Sequence, residues 1–140
     1  MTQHRLQGKT VLIVDDDEDI LGSIALAIRA EGAEIVTAAD GNEAISAAHT
    51  TRPDAIVLDV MLPRRSGFLV LEKLQQDADP APVIMVTANQ GKRHMAYAES
   101  LGVRAYFYKP VALQRLVDKV VELCRDDDGG GASQAVSGEE

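Results

Sequence analysis

Polar and charged residues directly follow four short apolar segments of the chain. Asp15 and Asp16 follow VLIV, Asp59 follows AIVL, Thr87 follows VIMV, and Lys109 follows AYFY. Carboxylates gathered at one edge of a fold repel one another, and a divalent cation relieves that repulsion. Magnesium prefers a few carboxylate or carbonyl oxygens together with water and phosphate oxygens. These residue types therefore indicate phosphoryl chemistry at a metal ion, provided that the fold brings the four positions together.

The elements that must position these residues are five strands and five helices in strict alternation. Strands are predicted at 10–14, 34–38, 55–58, 83–86 and 105–108, and helices at 19–31, 42–49, 66–75, 93–101 and 111–124. Apolar segments without polar alternation are typical of strands that are covered on both faces. Repeated strand–helix units predict a parallel sheet with right-handed crossovers and helices on both faces. Ligands of such sheets bind beyond the carboxyl ends of the strands, where the polar residues lie.

Each candidate residue also has an ordinary structural explanation. Asp15 and Asp16 fit helix capping as well as metal binding, and Asp17 with the two acidic residues after it fits a helix N-cap and first turn. Asp59 alone is compatible with a turn, and Lys109 alone with a solvated surface position. The joint placement of polar residues at four of five strand ends is what favours a functional site.

Composition narrows the class of protein. The chain carries 22 acidic and 14 basic residues, a formal charge of −8, and it lacks the basic stripe of a nucleic-acid-binding domain. Cys124 is the only cysteine, which excludes an internal disulfide and favours a reducing cytoplasm. The first residues, MTQHRLQGKT, contain no signal-peptide core, and no apolar segment reaches the length of a membrane span. We therefore expect a cytoplasmic protein that binds neither nucleic acid nor membrane directly.

A single folded domain is expected over residues 9–125. Its last helix should place one apolar stripe inward, formed by Leu113, Leu116, Val117, Val120, Val121 and Cys124. From residue 126 the composition changes to DDDGGGASQAVSGEE, which has too few apolar residues to offset the entropy of ordering. Residues 126–140 are therefore expected to form a disordered acidic tail or a linker.

Four sequence blocks resemble the signature blocks of response-regulator receiver domains of two-component systems. They read VLIVDDDEDI, IVLDVMLPRRSG, VIMVTA and GVRAYFYKP, and they occur in the family's order and spacing over about residues 9–124. The resemblance implies a flavodoxin-like α/β fold, a doubly wound five-stranded parallel sheet with strand order 2-1-3-4-5. In that order strands one and three are neighbours, so Asp15, Asp16 and Asp59 should converge.

The resemblance also implies roles for the acidic residues and their surroundings. Asp59 would be the phosphoacceptor. Asp16 and Asp59 would hold Mg²⁺ through their carboxylates, Asp15 through water, and Met61 through its backbone carbonyl, with Mn²⁺ as a possible substitute. Thr87 would hydrogen-bond the phosphoryl oxygens.

Further implied roles concern the end of strand five and the partners. Lys109 would pair with the phosphoryl group, and its bond to Pro110 would be cis. Thr87 and Tyr106 would form a switch that reshapes the face of helix 4, strand 5 and helix 5, where a downstream protein reads the state. The donor would be a sensor histidine kinase or a histidine phosphotransfer protein. Such a domain is not an enzyme with an external substrate, since it catalyses only its own phosphorylation and dephosphorylation.

Some residues depart from the family pattern, and the sequence also bears on other functions. Arg64 and Arg65 stand where small or acidic residues are common; they fit solvated loop charges better than a site for an acidic partner. Nucleotide-binding loops are excluded because the first turn, DDDED, has no glycines. A dehalogenase-type phosphatase needs an aspartate where this chain has Met61. The remaining alternative is a pseudo-receiver, an interaction module that works without phosphorylation. The sequence is compatible with a free-standing receiver, a phosphorelay intermediate or the receiver part of a longer protein.

Overall fold

A computed structural model describes residues 4–88 and 92–125 of the chain. The five strands are β1 (Thr10–Val14), β2 (Glu34–Ala38), β3 (Ala55–Asp59), β4 (Val83–Thr87) and β5 (Ala105–Tyr108). The five helices are α1 (Glu18–Arg29), α2 (Gly41–Thr51), α3 (Gly67–Leu74), α4 (Lys92–Ser100) and α5 (Leu113–Arg125). Every helix within the described ranges is too short or too polar to cross a lipid bilayer. The predicted tail at 126–140 lies outside the described residues.

The sheet is parallel throughout, with the order β2-β1-β3-β4-β5. This confirms the flavodoxin-like fold and all ten predicted elements, with differences of a few residues at their ends. Strands β3 and β4 are one residue longer than predicted and include Asp59 and Thr87. These two polar residues are therefore the last residues of hydrogen-bonded strands and do not belong to the loops that follow.

The sheet separates two hydrophobic cores because side chains alternate between its faces. In β1, Val11 and Ile13 pack in the core under α1 and α5. Leu12 and Val14 pack in the other core, under α2, α3 and α4. Residues 11–14 of β1 are buried on one face of the sheet or the other, which explains why they form an unbroken apolar segment in the sequence.

The register of the central strands brings the acidic residues together. Strand β1 lies between β2 and β3, and Val14 is paired with Leu58. Asp15 directly follows β1 and Asp59 is the last residue of β3, so both stand at the carboxyl edge of the sheet. Parallel pairing of neighbouring strands thus converts a separation of 44 residues in sequence into direct proximity.

One member of the predicted α5 stripe does not face inward. Leu113 is 37% exposed, whereas Leu116, Val117, Val120, Val121 and Cys124 are buried as predicted. The prediction for Leu113 was wrong because α5 begins at this residue and not at 111. Residues 113–115 at the start of α5 are all exposed, and burial of the stripe begins at Leu116.

The packed unit begins before residue 9, where the sequence placed its start. Leu6 is fully buried in the core under α1 and α5, and its N–H donates to the Glu31 carbonyl at 2.8 Å. Arg5 lies beside it and pairs with the side chains of Glu31 and Asp118, each at 3.1 Å. A single leucine in a polar stretch carries no periodicity, so only the structure reveals this contact.

Truncating Leu6 is expected to destabilise the domain. Leu6→Ala removes a fully buried side chain and leaves a cavity, which typically costs about 2–4 kcal/mol of unfolding free energy. Denaturant unfolding followed by circular dichroism measures this loss. The matched control is Leu26→Ala, since Leu26 on α1 is 68% exposed and should lose under about 0.5 kcal/mol. Equal losses in the two variants would contradict the packing role of Leu6.

Candidate functional site

The run of acidic residues after β1 divides into two structural roles. Asp15 is buried, and its Oδ1 accepts the N–H of Asp17 at 2.9 Å. Asp17 is the N-cap of α1, because its Oδ1 accepts the N–H groups of Asp19 at 2.9 Å and Ile20 at 3.2 Å. Asp16 lies between them and is exposed. The capping explanation therefore holds for Asp17, while Asp15 and Asp16 remain available for chemistry.

Asp59 ends β3 and is held by its own loop. Its carboxylate is buried, and Oδ1 accepts the N–H of Met61 at 3.3 Å. The Gly67 N–H donates to the Val60 carbonyl at 2.8 Å, which closes the loop between β3 and α3. A Cβ at position 67 would collide with the Asp59 carbonyl oxygen, so this close approach requires glycine.

Lys109 connects the ends of three strands. Its Nζ lies 3.0 Å from Asp15 Oδ2 and 3.5 Å from Asp59 Oδ2. Its backbone N–H donates to the carbonyl of Thr87 at 2.8 Å, and Thr87 itself is fully buried at the end of β4. The Lys109–Pro110 bond is cis, the geometry that the family resemblance implied. Asp15, Asp59, Thr87 and Lys109 thus share one edge of the sheet.

Negative charge is in excess at this edge. Burial, reinforced by the charge of Asp15, raises the pKa of Asp59 from 3.8 to about 6 even though Lys109 lowers it. For Lys109 burial acts to lower the pKa, but the hydrogen bond to Asp15 and the charges of both carboxylates outweigh it, so the pKa is raised. Lys109 therefore stays protonated and offsets only part of the repulsion.

The three carboxylates have the spacing of a metal site. Asp15, Asp16 and Asp59 each offer one oxygen, and these oxygens lie within 4.8 Å of one another. Three carboxylates and the single Lys109 ammonium leave two formal negative charges, which suits a divalent cation. The donor set is oxygen alone, as Mg²⁺ prefers, and the exposure of Asp16 leaves room for water ligands. The residues present therefore fit a magnesium ion.

The other predicted residues lie outside this cluster of charges. Tyr106 is fully buried, its hydroxyl has no hydrogen-bond partner among the described residues, and its ring is 5.7 Å from that of Tyr108. Burial, with a smaller effect of Tyr108, raises the pKa of Tyr106 to about 12. The Met61 side chain is 61% exposed. The switch role of Tyr106 stays a prediction, and in this structure its ring already points inward.

Sequence reasoning missed an attachment of the loop after Asp59. Arg64 Nε lies 3.4 Å from Asp40 Oδ2, and Asp40 is the N-cap of α2. Arg64 is 68% exposed and therefore solvated as expected, but it also forms this ion pair, while the neighbouring Arg65 is exposed. The available signal was the sequence DGNE at 40–43, which is typical of a helix start, although its contact with a distant loop is not encoded locally.

Two concave regions formed by described residues lie near the ends of the sheet. A cavity of about 380 Å³ lies at the opposite edge of the sheet, where it is lined by residues such as Pro53, Asp54 and Pro82 that precede β3 and β4. A groove of about 300 Å³ runs beside Lys109 and Pro110 toward Ile20 on α1. This groove reaches Lys109, so it lies next to the acidic cluster, in which Asp16 is exposed while Asp15 and Asp59 are buried.

Comparison with known proteins identifies the family. The family model of the response regulator receiver domain matches residues 11–121. The chain belongs to the response regulator receiver family. This receiver is 40% identical over 119 residues to the probable transcriptional regulatory protein TcrX of Mycobacterium tuberculosis, covering 85% of this chain and 51% of TcrX. It is 33% identical over 133 residues to the alkaline phosphatase synthesis transcriptional regulatory protein PhoP of Bacillus subtilis, covering 95% and 55%. It thus spans about half the length of these curated relatives.

Solved structures agree with this assignment. A CheY-like receiver domain protein from Methanospirillum hungatei matches with a TM-score of 0.83 and 30% identity, covering 88% of this chain and 98% of that protein. A chain of the CheX–CheY–BeF₃–Mg²⁺ complex from Borrelia burgdorferi matches with a TM-score of 0.79 and 25% identity, covering 86% and 97%. The receiver assignment therefore rests on sequence and on fold.

Proposed function

We propose that this receiver accepts a phosphoryl group on Asp59 from a phosphohistidine donor in the presence of Mg²⁺. The observation that carries the proposal is the set of three carboxylate oxygens within 4.8 Å of one another, next to the Lys109 ammonium. Asp16 and Asp59 would hold the ion through carboxylates, Asp15 through water and Met61 through its carbonyl. Mn²⁺ is proposed as a substitute, because it accepts the same oxygen ligands.

The protein's own groups supply the nucleophile and part of the charge neutralisation in the proposed reaction. An Asp59 oxygen attacks phosphorus in line with the leaving imidazole nitrogen, so an O–P bond forms as the N–P bond breaks and the electron pair stays with the imidazole. Lys109 and Thr87 bind the equatorial oxygens and keep them in place for the displacement. Bound magnesium supplies further neutralisation of charge on the phosphoryl oxygens.

Asp59 must be ionised to act as the nucleophile. Its pKa of about 6 lies below neutral pH, so most molecules carry the reactive carboxylate there even without metal. The Borrelia burgdorferi complex contains BeF₃ and Mg²⁺ together with a chain of the same fold. This supports a metal-dependent phosphoryl site in the present chain.

The partners belong to the same proposal. The donor is a sensor histidine kinase or a histidine phosphotransfer protein, and a downstream protein reads the face of α4, β5 and α5 through the Thr87 and Tyr106 switch. The two relatives are named as transcriptional regulators over chains about twice as long. The proposal of no direct contact with nucleic acid therefore concerns only this stretch of chain. With a lone, buried Cys124, the cytoplasm is the proposed location.

Labelling by a small phosphodonor tests the function. Acetyl phosphate with Mg²⁺ should add one phosphoryl mass to the intact protein, and chelation of the metal by EDTA should prevent the addition. Mass spectrometry of the undigested chain measures this result. An unlabelled protein that is folded and saturated with Mg²⁺ would favour the pseudo-receiver, an interaction module without phosphorylation.

The lifetime of the phosphorylated state is expected to depend on Met61. In this family the residue two positions after the acceptor flanks the path of the hydrolytic water, and so does Asn89, which lies outside the described residues. Methionine offers only a weak sulfur acceptor and covers the phosphoryl group more than it orients water. Met61→Asn should speed phosphate release several-fold, on the order of 1 kcal/mol in barrier.

A phosphate-release time course on the labelled protein measures this rate. The control is Leu69→Asn, since Leu69 is 51% exposed on α3, beyond the loop, and its replacement should leave the rate unchanged. Release that is no faster in Met61→Asn than in the control would show that Met61 does not set the lifetime.

A further inference from the structure

The loop that follows the acceptor residue is attached to the start of α2. We call residues 60–67 the acceptor loop. The Gly41 N–H donates a hydrogen bond to the carbonyl of Pro63 in this loop, at 3.4 Å. A Cβ at position 41 would lie 2.5 Å from the backbone oxygen of Arg65, so the two segments meet with no space for a side chain. The position of the acceptor loop is therefore set partly by a segment that lies outside it.

Asp40 links this contact to a rigid element. Its Oδ1 accepts the Glu43 N–H at 2.9 Å and thereby caps α2, while its Oδ2 faces Arg64 Nε at 3.4 Å. Glu43 in turn accepts the N–H of Ala39 at 2.9 Å. The Asp40 side chain is only 16% exposed, whereas that of Arg64 is 68% exposed. The Asp40 carboxylate is thus held in place by the start of α2, and the exposed Arg64 side chain pairs with it.

Arg64 occupies a backbone conformation that arginine does not favour. Its φ is +72°, in the left-handed region where glycine is the usual residue. Three residues earlier, Met61 donates its N–H to Asp59 Oδ1 at 3.3 Å. An arginine in place of glycine restricts the loop further, and its side chain supplies the contact to Asp40 that glycine lacks.

We propose that Arg64 is a positioning residue. It pairs with Asp40 and so holds the acceptor loop where the Met61 carbonyl can contribute to the metal site at Asp59. The inference rests on the proposed function, because it assigns Arg64 a role in forming the metal site. Arg64 contacts neither the metal nor the phosphoryl group and acts through the loop. The competing explanation is that Arg64 acts only through its positive charge.

The two explanations predict opposite signs for the change in magnesium affinity. If Arg64 acts by charge alone, Arg64→Ala removes a repulsive positive charge and lowers the Kd for Mg²⁺. If it positions the loop, the same variant raises the Kd by about two- to fivefold, the range that one exposed ion pair supports. Titration of the metal-free protein with MgCl₂, followed by amide chemical shifts, measures this Kd.

Arg65→Ala is the matched control. It removes the same charge and the same side chain one residue further along, and no carboxylate in residues 4–88 or 92–125 forms an ion pair with Arg65. Its Kd should stay within about twofold of wild type or fall slightly. Arg64→Lys keeps the positive charge and can reach Asp40, so its Kd for Mg²⁺ should lie within about twofold of wild type. This variant also keeps the test valid if Arg64→Ala is unstable.

A second readout needs neither metal nor phosphate. Without the ion pair, the Gly41 N–H that donates to Pro63 should exchange with solvent several-fold faster in Arg64→Ala and not in Arg65→Ala. Unchanged or tighter magnesium binding in Arg64→Ala, beside normal binding in wild type, would overturn the role of Arg64 alone. Absence of magnesium binding in wild type would instead refute the proposed function.

Discussion

Replacing Asp59 with asparagine is expected to abolish phosphorylation completely. Asparagine keeps the shape of the side chain, but its amide cannot act as the nucleophile that forms the acyl phosphate. With acetyl phosphate and Mg²⁺, wild type should gain one phosphoryl mass and Asp59→Asn none, as measured by mass spectrometry of the intact chain. Undiminished labelling of the variant would place the phosphoacceptor elsewhere.

The same substitution is expected to stabilise the fold at neutral pH. Burial and the charge of Asp15 raise the pKa of Asp59 from 3.8 to about 6, so the folded state holds the proton more tightly than the unfolded chain. Ionisation of Asp59 therefore lowers the unfolding free energy as the pH rises through about 4 to 6. Asp59→Asn should gain about 1–3 kcal/mol above pH 6, because one pKa unit corresponds to about 1.4 kcal/mol.

Denaturant unfolding in EDTA at pH 7.5 and pH 4.5 separates charge from packing. The gain of Asp59→Asn over wild type should be largest at pH 7.5 and smaller by about 2 kcal/mol at pH 4.5, where the folded Asp59 is neutral and only the unfolded chain still ionises it. An equal gain at both pH values would show that the effect comes from packing and not from the raised pKa.

Removing the Asp16 carboxylate is expected to abolish magnesium binding and, with it, phosphorylation. Asp16 is the exposed member of the three-carboxylate cluster, so its loss should perturb the core little while removing a proposed direct ligand. In Asp16→Ala, titration with MgCl₂ should produce no saturable shift of the site amides at concentrations that saturate wild type. Binding as tight as in wild type would place the metal site elsewhere.

A neighbouring carboxylate provides the control for this experiment. Asp19→Ala deletes the same group from the first turn of α1, outside the cluster. Its loss removes a favourable interaction with the helix dipole of about 0.3–1 kcal/mol and changes the Kd for Mg²⁺ by less than about twofold. A comparable loss of binding in both variants would indicate a general effect of negative charge in place of ligation by Asp16.

The patterns that predicted the fold are local properties of the chain. Five apolar segments and five helical periodicities were sufficient for the alternation of elements, since burial on two faces leaves an unbroken apolar segment such as 10–14. The residues after the strands followed from the rule that ligands bind at the carboxyl edge of a parallel sheet. The strand order came from the family resemblance, because no local pattern states which strands are neighbours.

Errors and omissions occurred where contacts join distant segments. Leu113 belongs to an apolar stripe in sequence, yet it is exposed, and burial along α5 begins only at Leu116. Leu6 has no periodic neighbours, yet it fills the core. Arg64 reads as a loop charge, yet it pairs with the cap of another helix. Each outcome depends on how separate elements pack, which local patterning does not record.

The sequence by itself determined the class of fold, the positions of its elements and the residue types available at the sheet edge. Only the tertiary structure decided which aspartates share a site: it turned Asp17 into a helix cap and brought Asp15 and Asp59 within reach of Lys109. It also decided the pKa of Asp59. The physical reason is that burial and the charges of neighbours act through space, whereas sequence patterns describe only neighbours along the chain.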